Sequence, residues 1–216
     1  TVWGWGNNAN GPIGDNTIVS KSSPVQITGT QVYTKISAGF ACSAAISIAD
    51  QLSTWGDNSI GQLGSGTIVH RSTALQVGSL TNWKFVNAGT DFVSLKIDGS
   101  MWVWGANGNG QLGLGDVTHR SSPVQLGSLT NWKTVSHIGG QTGDAFVQIG
   151  TDFRSATGAV KTDGTLWVWG SNVSGGLGLG DLTDRSSPVQ LGSLTTWVSL
   201  PRKLPWLGMS ATISPQ

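Results

Sequence analysis

Histidine and cysteine are the side chains best suited to bind a transition metal, and this chain has few of either. His70 and His119 lie 49 residues apart, His137 follows 18 residues later, and Cys42 is the single cysteine. Zinc needs three or four convergent nitrogen or sulfur ligands. The aspartates in glycine-rich turns also lack the ligand spacing of a known calcium loop. We therefore expect no metal site.

Catalytic side chains are equally hard to assemble from this sequence. The stretch GNGQLGLGD at 108–116 is rich in glycine, but no Lys-Ser or Lys-Thr follows it as in a phosphate-binding loop, and the pattern recurs along the chain. There is no G-x-S-x-G motif, and no histidine has an evident carboxylate partner. We therefore expect no enzyme activity, no catalytic residue and no cofactor.

Basic residues recur at one position of a repeating pattern and form a candidate binding rim, which consists of Lys21, Arg71, Arg120 and Arg185. Such a rim suits an anionic partner. However, Asp116 and Asp181 precede two of these arginines by four residues, so a local ion pair explains the position without any partner. The structural explanation is the one we favour.

The repeat behind these positions is marked by tryptophan. Counting from the Trp of each Trp-Gly pair, the spacings are 50, 49 and 65 residues along the structural repeat tryptophans Trp5, Trp55, Trp104 and Trp169. Glycines follow at offsets 6 and 9, and SSPVQ or STALQ begins at offset 17. Fixed landmarks of this kind indicate a repeat architecture.

Each unit contains four short extended segments separated by turn residues. In LWVWG at 166–170, the tryptophans point to one side of the strand while Leu166 and Val168 point to the other. A strand that is apolar on both faces must be covered on both sides. Four-stranded sheets stacked radially as blades satisfy this requirement, and units of about 50 residues are typical of β-propellers. We predict an all-β propeller and expect few helices.

The succession W-G-x-N-x-x-G-Q-L-G-x-G, R-S-S-P-V-Q, W-K-x-V and K-T-D-G-T-L-W resembles the repeat of the regulator of chromosome condensation family of β-propellers, especially its prokaryotic and viral members. The resemblance covers nearly the whole chain. It implies a ring that usually has seven blades, whereas four repeats are present here. We therefore expect either a four-bladed ring or part of a larger propeller.

We divide the single repeat domain, 1–216, into units at about 6–55, 56–104, 105–169 and 170–216. The last unit ends in MSATIS, which normally precedes a WVWG strand, and the chain opens with VWGWG, so residues 1–5 are expected to complete it. The third unit carries an insertion near 136–149. Because loops on rigid scaffolds often bind partners, this insertion is our candidate contact loop, with Gln141, Asp144, Phe146 and Arg154. A neutral surface hairpin or a packing element is the equal alternative.

The charge and the apolar content of the sequence limit the kinds of partner that the chain can bind. Only 11% of residues are charged and the net charge is +1, which gives no electrostatic basis for nucleic-acid binding. No apolar run is long enough to span a bilayer. We expect protein partners, which include other copies of the chain or subunits of a larger assembly.

The low charge and a surface rich in Ser, Thr, Asn and Gly favour a non-catalytic binding or structural propeller, located outside cells, on the cell surface or in a virion. The family resemblance implies an alternative, guanine nucleotide exchange on a small GTPase of the Ran type. Some bacterial members inhibit an extracellular enzyme such as a β-lactamase, which is a third hypothesis.

Overall fold

Strands and tight turns make up the residues that the computed structural model describes, which are 1–138, 156–199 and 212–213. No helix occurs in these ranges, and hence none that is long and apolar enough to cross a membrane. The strands of the first half of the chain are β1 (Trp3–Gly6), β2 (Lys21–Gln26), β3 (Tyr33–Ala38), β4 (Cys42–Ser47), β5 (Leu52–Gly56), β6 (Arg71–Gln76), β7 (Trp83–Asn87) and β8 (Asp91–Lys96). Those of the second half are β9 (Met101–Gly105), β10 (Arg120–Gln125), β11 (Trp132–Ile138), β12 (Ala156–Lys161), β13 (Leu166–Gly170), β14 (Arg185–Gln190), β15 (Trp197–Ser199) and β16 (Thr212–Ile213).

Consecutive strands pair antiparallel into separate small sheets. The first, second and third complete blades are the four-stranded sheets β3–β6, β7–β10 and β11–β14. Two two-stranded sheets flank them, β1–β2 and β15–β16, which we call the amino-terminal and carboxy-terminal half-blades. By their place in the repeat, β1 and β2 are the third and fourth strands of a blade, whereas β15 and β16 are a first and a second strand. The predicted propeller of four-stranded blades is confirmed, and closure into a ring stays a prediction.

Each complete blade shares its two faces with different neighbours, as the alternation of side chains along its strands predicts. In β13, Trp167 and Trp169 pack into the cluster with Val103 of the second complete blade. Leu166 and Val168 belong to a different cluster, which contains Trp197 of the carboxy-terminal half-blade. Tryptophan therefore faces the preceding sheet and aliphatic residues face the following one.

Glycine shapes the hairpins inside the blades. Gly164 has a φ of +78°, a left-handed conformation that glycine adopts without strain, and its amide donates to Lys161 O at 3.0 Å. A Cβ at this position would overlap the carbonyl oxygen of Thr195. The Asp-Gly turn therefore holds the second and third strands of the blade close to the start of the next unit.

Candidate functional site

A buried asparagine organises the long turn that precedes the fourth strand of each blade. In the second complete blade, the Oδ1 of Asn107 accepts from the backbone amide of Leu112 at 2.9 Å, and its Nδ2 donates to Asp116 O at 3.0 Å and Thr118 O at 3.1 Å. Asn8, Asn58 and Asn172 make the same kinds of bond in the other turns. All four side chains are buried, so their hydrogen bonds hold the turns together from the inside.

The two repeat-equivalent histidines act as hydrogen-bond acceptors in these turns. The Nδ1 of His119 accepts from the backbone amide of Asn107 at 2.8 Å, and that of His70 accepts from Asn58 at 2.9 Å. At the equivalent position, Asp184 accepts from the amide of Asn172 at 2.6 Å. A histidine or an aspartate side chain can therefore accept the same backbone hydrogen bond at this position of the repeat. Within 1–138, 156–199 and 212–213, no cluster of three metal-binding side chains occurs.

Three of the four basic-rim residues form ion pairs with nearby aspartates. Arg120 Nη2 lies 2.5 Å from Asp116 Oδ2, Arg185 pairs in the same way with Asp181, and Lys21 Nζ lies 3.1 Å from Asp15. The carboxylate of Asp116 also accepts from the backbone amide of Thr118, and this bond, followed by the one from Arg120, lowers its pKa. The ion pairs brace the turns, and a role for the rim in binding stays a prediction.

Arg71 differs from the other rim residues because Ser65 and Thr67 stand where the other turns carry an aspartate. Those two hydroxyls instead bond to each other at 3.0 Å. Among the residues that the structure describes, Arg71 has no ion-pair partner, and it is exposed. The candidate contact loop, with Gln141, Asp144, Phe146 and Arg154, lies outside the described residues.

The amino-terminal half-blade carries an aromatic surface that repeat analysis alone did not find. Trp5 is 64% exposed, although Trp55, Trp104 and Trp169 occupy the same repeat position and are at most 1% exposed. Trp3 is 53% exposed. The face of β1 that these rings share is the one that meets a preceding sheet in the complete blades, and both rings are more than half exposed there. Trp5 is therefore a repeat tryptophan that no sheet of the described residues covers.

The exposed surface continues onto the first complete blade. Ile36 on β3 is 52% exposed, whereas its equivalent Val86 is buried against the preceding blade. Phe40, in the turn between β3 and β4, is 88% exposed. With Trp3 and Trp5 these residues line a groove of about 550 Å³, which we call the open face. It exists because the amino-terminal half-blade has no first and second strands among the described residues.

The backbone of β1 is open on the same side. In the complete blades the third strand pairs with strands on both sides, as β13 does with β12 and β14. In contrast, β1 pairs only with β2 among the described strands. An edge strand beside exposed aromatic rings offers both hydrogen bonds and apolar surface to another strand.

Structural comparison supports the propeller architecture. Prp20p from Saccharomyces cerevisiae, whose binding to Gsp1p and histones was studied with its structure, aligns with a TM-score of 0.67 and 20% identity over 88% of this chain and 46% of its own. Yeast RCC1 (Prp20), solved with Kap60, gives a TM-score of 0.69 at 18% identity, over 88% of this chain and 44% of its own. Human WBSCR16 gives 0.55 and 19% identity over 99% of this chain and 67% of its own. The chain thus spans less than half the length of the yeast proteins, and these likenesses show the fold.

Sequence comparison identifies the repeat. No curated protein matches the chain significantly. The model of the regulator of chromosome condensation (RCC1) repeat matches residues 1–49, 98–142 and 163–207, which together make up more than half of the sequence. These segments contain three of the four Trp-Gly landmarks and every SSPVQ motif. The chain therefore belongs to the regulator of chromosome condensation (RCC1) repeat family.

Proposed function

We propose that this chain is a non-catalytic, protein-binding propeller that assembles with other copies of itself through the open face. The observation that carries the proposal is the contrast at one repeat position, where Trp5 is 64% exposed and its three equivalents are buried between sheets. Exposed tryptophan is costly in water and is enriched at the centres of protein interfaces. The proposed interaction buries Trp5 as its equivalents are buried.

The partner that fits β1 is a strand of the same repeat. A second strand is missing on the free side of β1, and β16 is a second strand that pairs only with β15 among the described strands. The two half-blades therefore supply complementary parts of one blade. Joining them between copies is heterologous, and such contacts produce closed rings or filaments.

The register of the complete blades predicts which residues meet. Ser199 pairs with Thr212 in the carboxy-terminal half-blade, as Thr134 pairs with Val160 in the third complete blade. Val160 in turn lies opposite Leu166, whose repeat equivalent on β1 is Val2. Thr212 of one copy is therefore expected to lie opposite Val2 of another.

A pair of cysteines tests this register. Directly opposed residues on antiparallel strands have Cα atoms about 4.5–5.5 Å apart, which is within the range of a disulfide. We expect Val2→Cys/Thr212→Cys to form disulfide-linked multimers under mild oxidation, visible on a non-reducing gel. Light scattering after gel filtration should show wild-type masses that rise with concentration above 22.4 kDa. Trp5→Ala should shift that equilibrium toward the monomer.

Matched controls define the outcomes. The single variants Val2→Cys and Thr212→Cys should not link specifically, nor should Gln26→Cys/Thr212→Cys, because Gln26 lies on β2, away from the free side of β1. A wild-type chain that stays at 22.4 kDa at high concentration contradicts assembly. A linked species with the mass of one chain indicates closure within the chain, which also contradicts assembly between copies.

Surface chemistry supports a proposed setting for this assembly. A low content of charged side chains and many Ser, Thr, Asn and Gly residues support a structural or attachment component outside cells, on a cell surface or in a virion. Association with native particles or filaments, measured by cosedimentation from the source material, tests this part of the proposal. Recovery of the chain only as free protein contradicts it.

Membership of the RCC1 repeat family favours a second candidate, guanine nucleotide exchange on a small GTPase. The test is release of a fluorescent guanine nucleotide from a Ran-type GTPase, with and without the chain. A variant lacking residues 139–149 of the insertion is the matched control, because an exchange element there is expected to be lost with it. No acceleration by the intact chain excludes this candidate and leaves the assembly proposal unaffected.

A further inference from the structure

A second groove, separate from the open face, lies between the second and third complete blades. Its volume is about 330 Å³, and its lining includes Leu126, Leu129, Trp132, Lys161, Trp167 and Pro188. Volumes of this size are at the lower end of small-molecule sites. The walls are mostly indole and aliphatic carbon, so the polar groups among them determine what the groove can bind.

Lys161 is a buried cation without an anionic partner at contact distance among the described residues. The residue is 6% exposed, and its Nζ lies 3.8 Å from the ring centroid of Trp167 and 4.9 Å from that of Trp132. Cation–π contacts of this kind stabilise an ammonium partly but do not replace an anion. Burial lowers the pKa of Lys161 despite the nearby charge of Asp163. Asp163 instead accepts from the amide and hydroxyl of Thr165, at 3.0 and 2.7 Å.

Trp132, which lines the same groove, carries a second unused donor. Its Nε1 is buried and has no hydrogen-bond partner among the described residues. At the equivalent position in the second complete blade, the Nε1 of Trp83 donates to Leu80 O at 3.2 Å. In the third blade, Trp167 Nε1 is already engaged with Thr165 Oγ1 at 2.9 Å. Buried N–H groups are normally paired, so the unpaired indole of Trp132 marks a place for an acceptor.

We propose that this groove binds a small organic carboxylate with an apolar body. The carboxylate accepts hydrogen bonds from Lys161 Nζ and Trp132 Nε1, and the apolar body contacts Leu126, Leu129 and the ring of Trp167. A carboxylate satisfies both donors at once and neutralises the ammonium, which a neutral ligand cannot do. The site is independent of the open face and of assembly.

The repeat provides an internal control. Lys96 occupies the equivalent position in the second complete blade, with its Nζ 4.3 Å from the ring of Trp102 and 5.0 Å from that of Trp83. There the first-strand indole, Trp83, is already hydrogen bonded. The first complete blade has Ser47 and Ser53 in place of the lysine and the tryptophan. Within the described residues, only the groove beside Lys161 thus combines a lysine ammonium with an unpaired indole N–H.

The probe for the test is 4-fluorophenylacetate, observed by fluorine NMR during titration with the intact chain. Its neutral analogue, 4-fluorophenylacetamide, has nearly the same shape and lacks the charge. We expect the acid to bind at least about tenfold more tightly than the amide, and Lys161→Gln to remove that preference. Lys161→Arg retains the charge and should bind the acid more tightly than Lys161→Gln does. Lys96→Gln should leave binding unchanged.

Thermal melting of each variant shows whether it is folded before binding is compared. Equal binding of acid and amide overturns the proposal, as does binding of the acid that Lys161→Gln leaves intact. No binding of the acid at millimolar concentration overturns it as well. If Lys161→Gln fails to fold, Trp132→Phe serves as the second variant, because it removes the indole N–H while keeping an aromatic ring, and unchanged acid binding in it contradicts the proposed contact.

Discussion

Replacing Trp104 by alanine is expected to lower the free energy of unfolding by about 4 kcal/mol, a cost at the upper end for single substitutions. Trp104 is 0% exposed and stacks on Phe92 with ring centroids 5.1 Å apart. A buried tryptophan removes roughly 200 Å² from water, and alanine keeps only part of that burial, so roughly 150 Å² at about 25 cal/mol per Å² is lost. Its Nε1 also donates to Gln62 O at 3.0 Å, and loss of this bond adds roughly 1 kcal/mol to the cost. Relaxation of the side chains around the cavity lowers the cost by a similar amount, so the total stays at about 4 kcal/mol.

Trp5→Ala is the matched control, because Trp5 has the same repeat position and is 64% exposed. With about a third of the ring buried, the same arithmetic gives a loss of roughly 1 kcal/mol. Trp104→Phe separates the ring from the hydrogen bond and should cost less than Trp104→Ala. These comparisons are made at concentrations where the wild-type chain is monomeric, since assembly would add burial at Trp5.

Urea denaturation followed by circular dichroism measures these losses. Repeat proteins can unfold unit by unit, so hydrogen exchange of β5 and β9 should accompany it to locate the loosened boundary. Amides on both strands should exchange faster in Trp104→Ala, because that ring packs between their blades. Equal losses for Trp104→Ala and Trp5→Ala would refute the idea that a neighbouring sheet is what makes each indole stabilising.

Four further experiments test the hydrogen bonds and backbone geometry of the turns, the ion pair of Asp116 and the burial of Cys42. Asn107→Ala should cost about 2–3 kcal/mol by leaving buried backbone groups unpaired, measured by urea denaturation with faster exchange of the 107–119 turn as the local sign. Gly164→Ala should lower the free energy of unfolding by about 2–4 kcal/mol, because the backbone is strained at positive φ and the new Cβ overlaps Thr195 O. Gly127 also has a positive φ but has open space where the alanine Cβ would lie, so Gly127→Ala should cost only about 1 kcal/mol. The pKa of Asp116 is lowered in the folded state, so the stability that its carboxylate contributes is present above about pH 4 and is lost as pH falls through the folded pKa. An NMR titration of the carboxyl carbon measures this pKa, and Asp116→Asn should remove that part of the acid dependence of stability. Burial raises the pKa of the Cys42 thiol to about 12, so the folded chain should not react with a thiol reagent at pH 8, and rapid labelling would contradict its burial.

The repeat spacing and the strand patterns within a unit predicted the blades, because a strand that is apolar on both faces must be covered on both sides. The alternation in LWVWG correctly assigned Trp169 and Val168 to opposite faces of the blade. The Asp-Gly pairs at 98–99 and 163–164 are among the turn residues that separate the predicted strands, and the structure has hairpin turns at both. The alternation and the turns are local features, so the sequence of one unit is enough to specify them.

Exposure of Trp5 could not be predicted in this way. The VWGWG motif matches the buried units at every landmark, and burial depends on whether a preceding sheet is present rather than on the motif. The unpaired Trp132 Nε1 was equally hidden, because NWK occurs at both 82–84 and 131–133 while only one of the two indoles finds a carbonyl among the described residues. Both differences depend on the surroundings of the motif, which the motif itself does not encode.

Each sheet has a tryptophan face and an aliphatic face, so the row of blades has a direction. The tryptophan face of one blade always packs against the aliphatic face of the blade before it. Every internal boundary then uses the same two surfaces, whatever the number of units between the ends. Gain or loss of one fifty-residue unit would leave the remaining boundaries chemically unchanged. The number of units in such a chain can consequently vary without redesign of the surfaces between them.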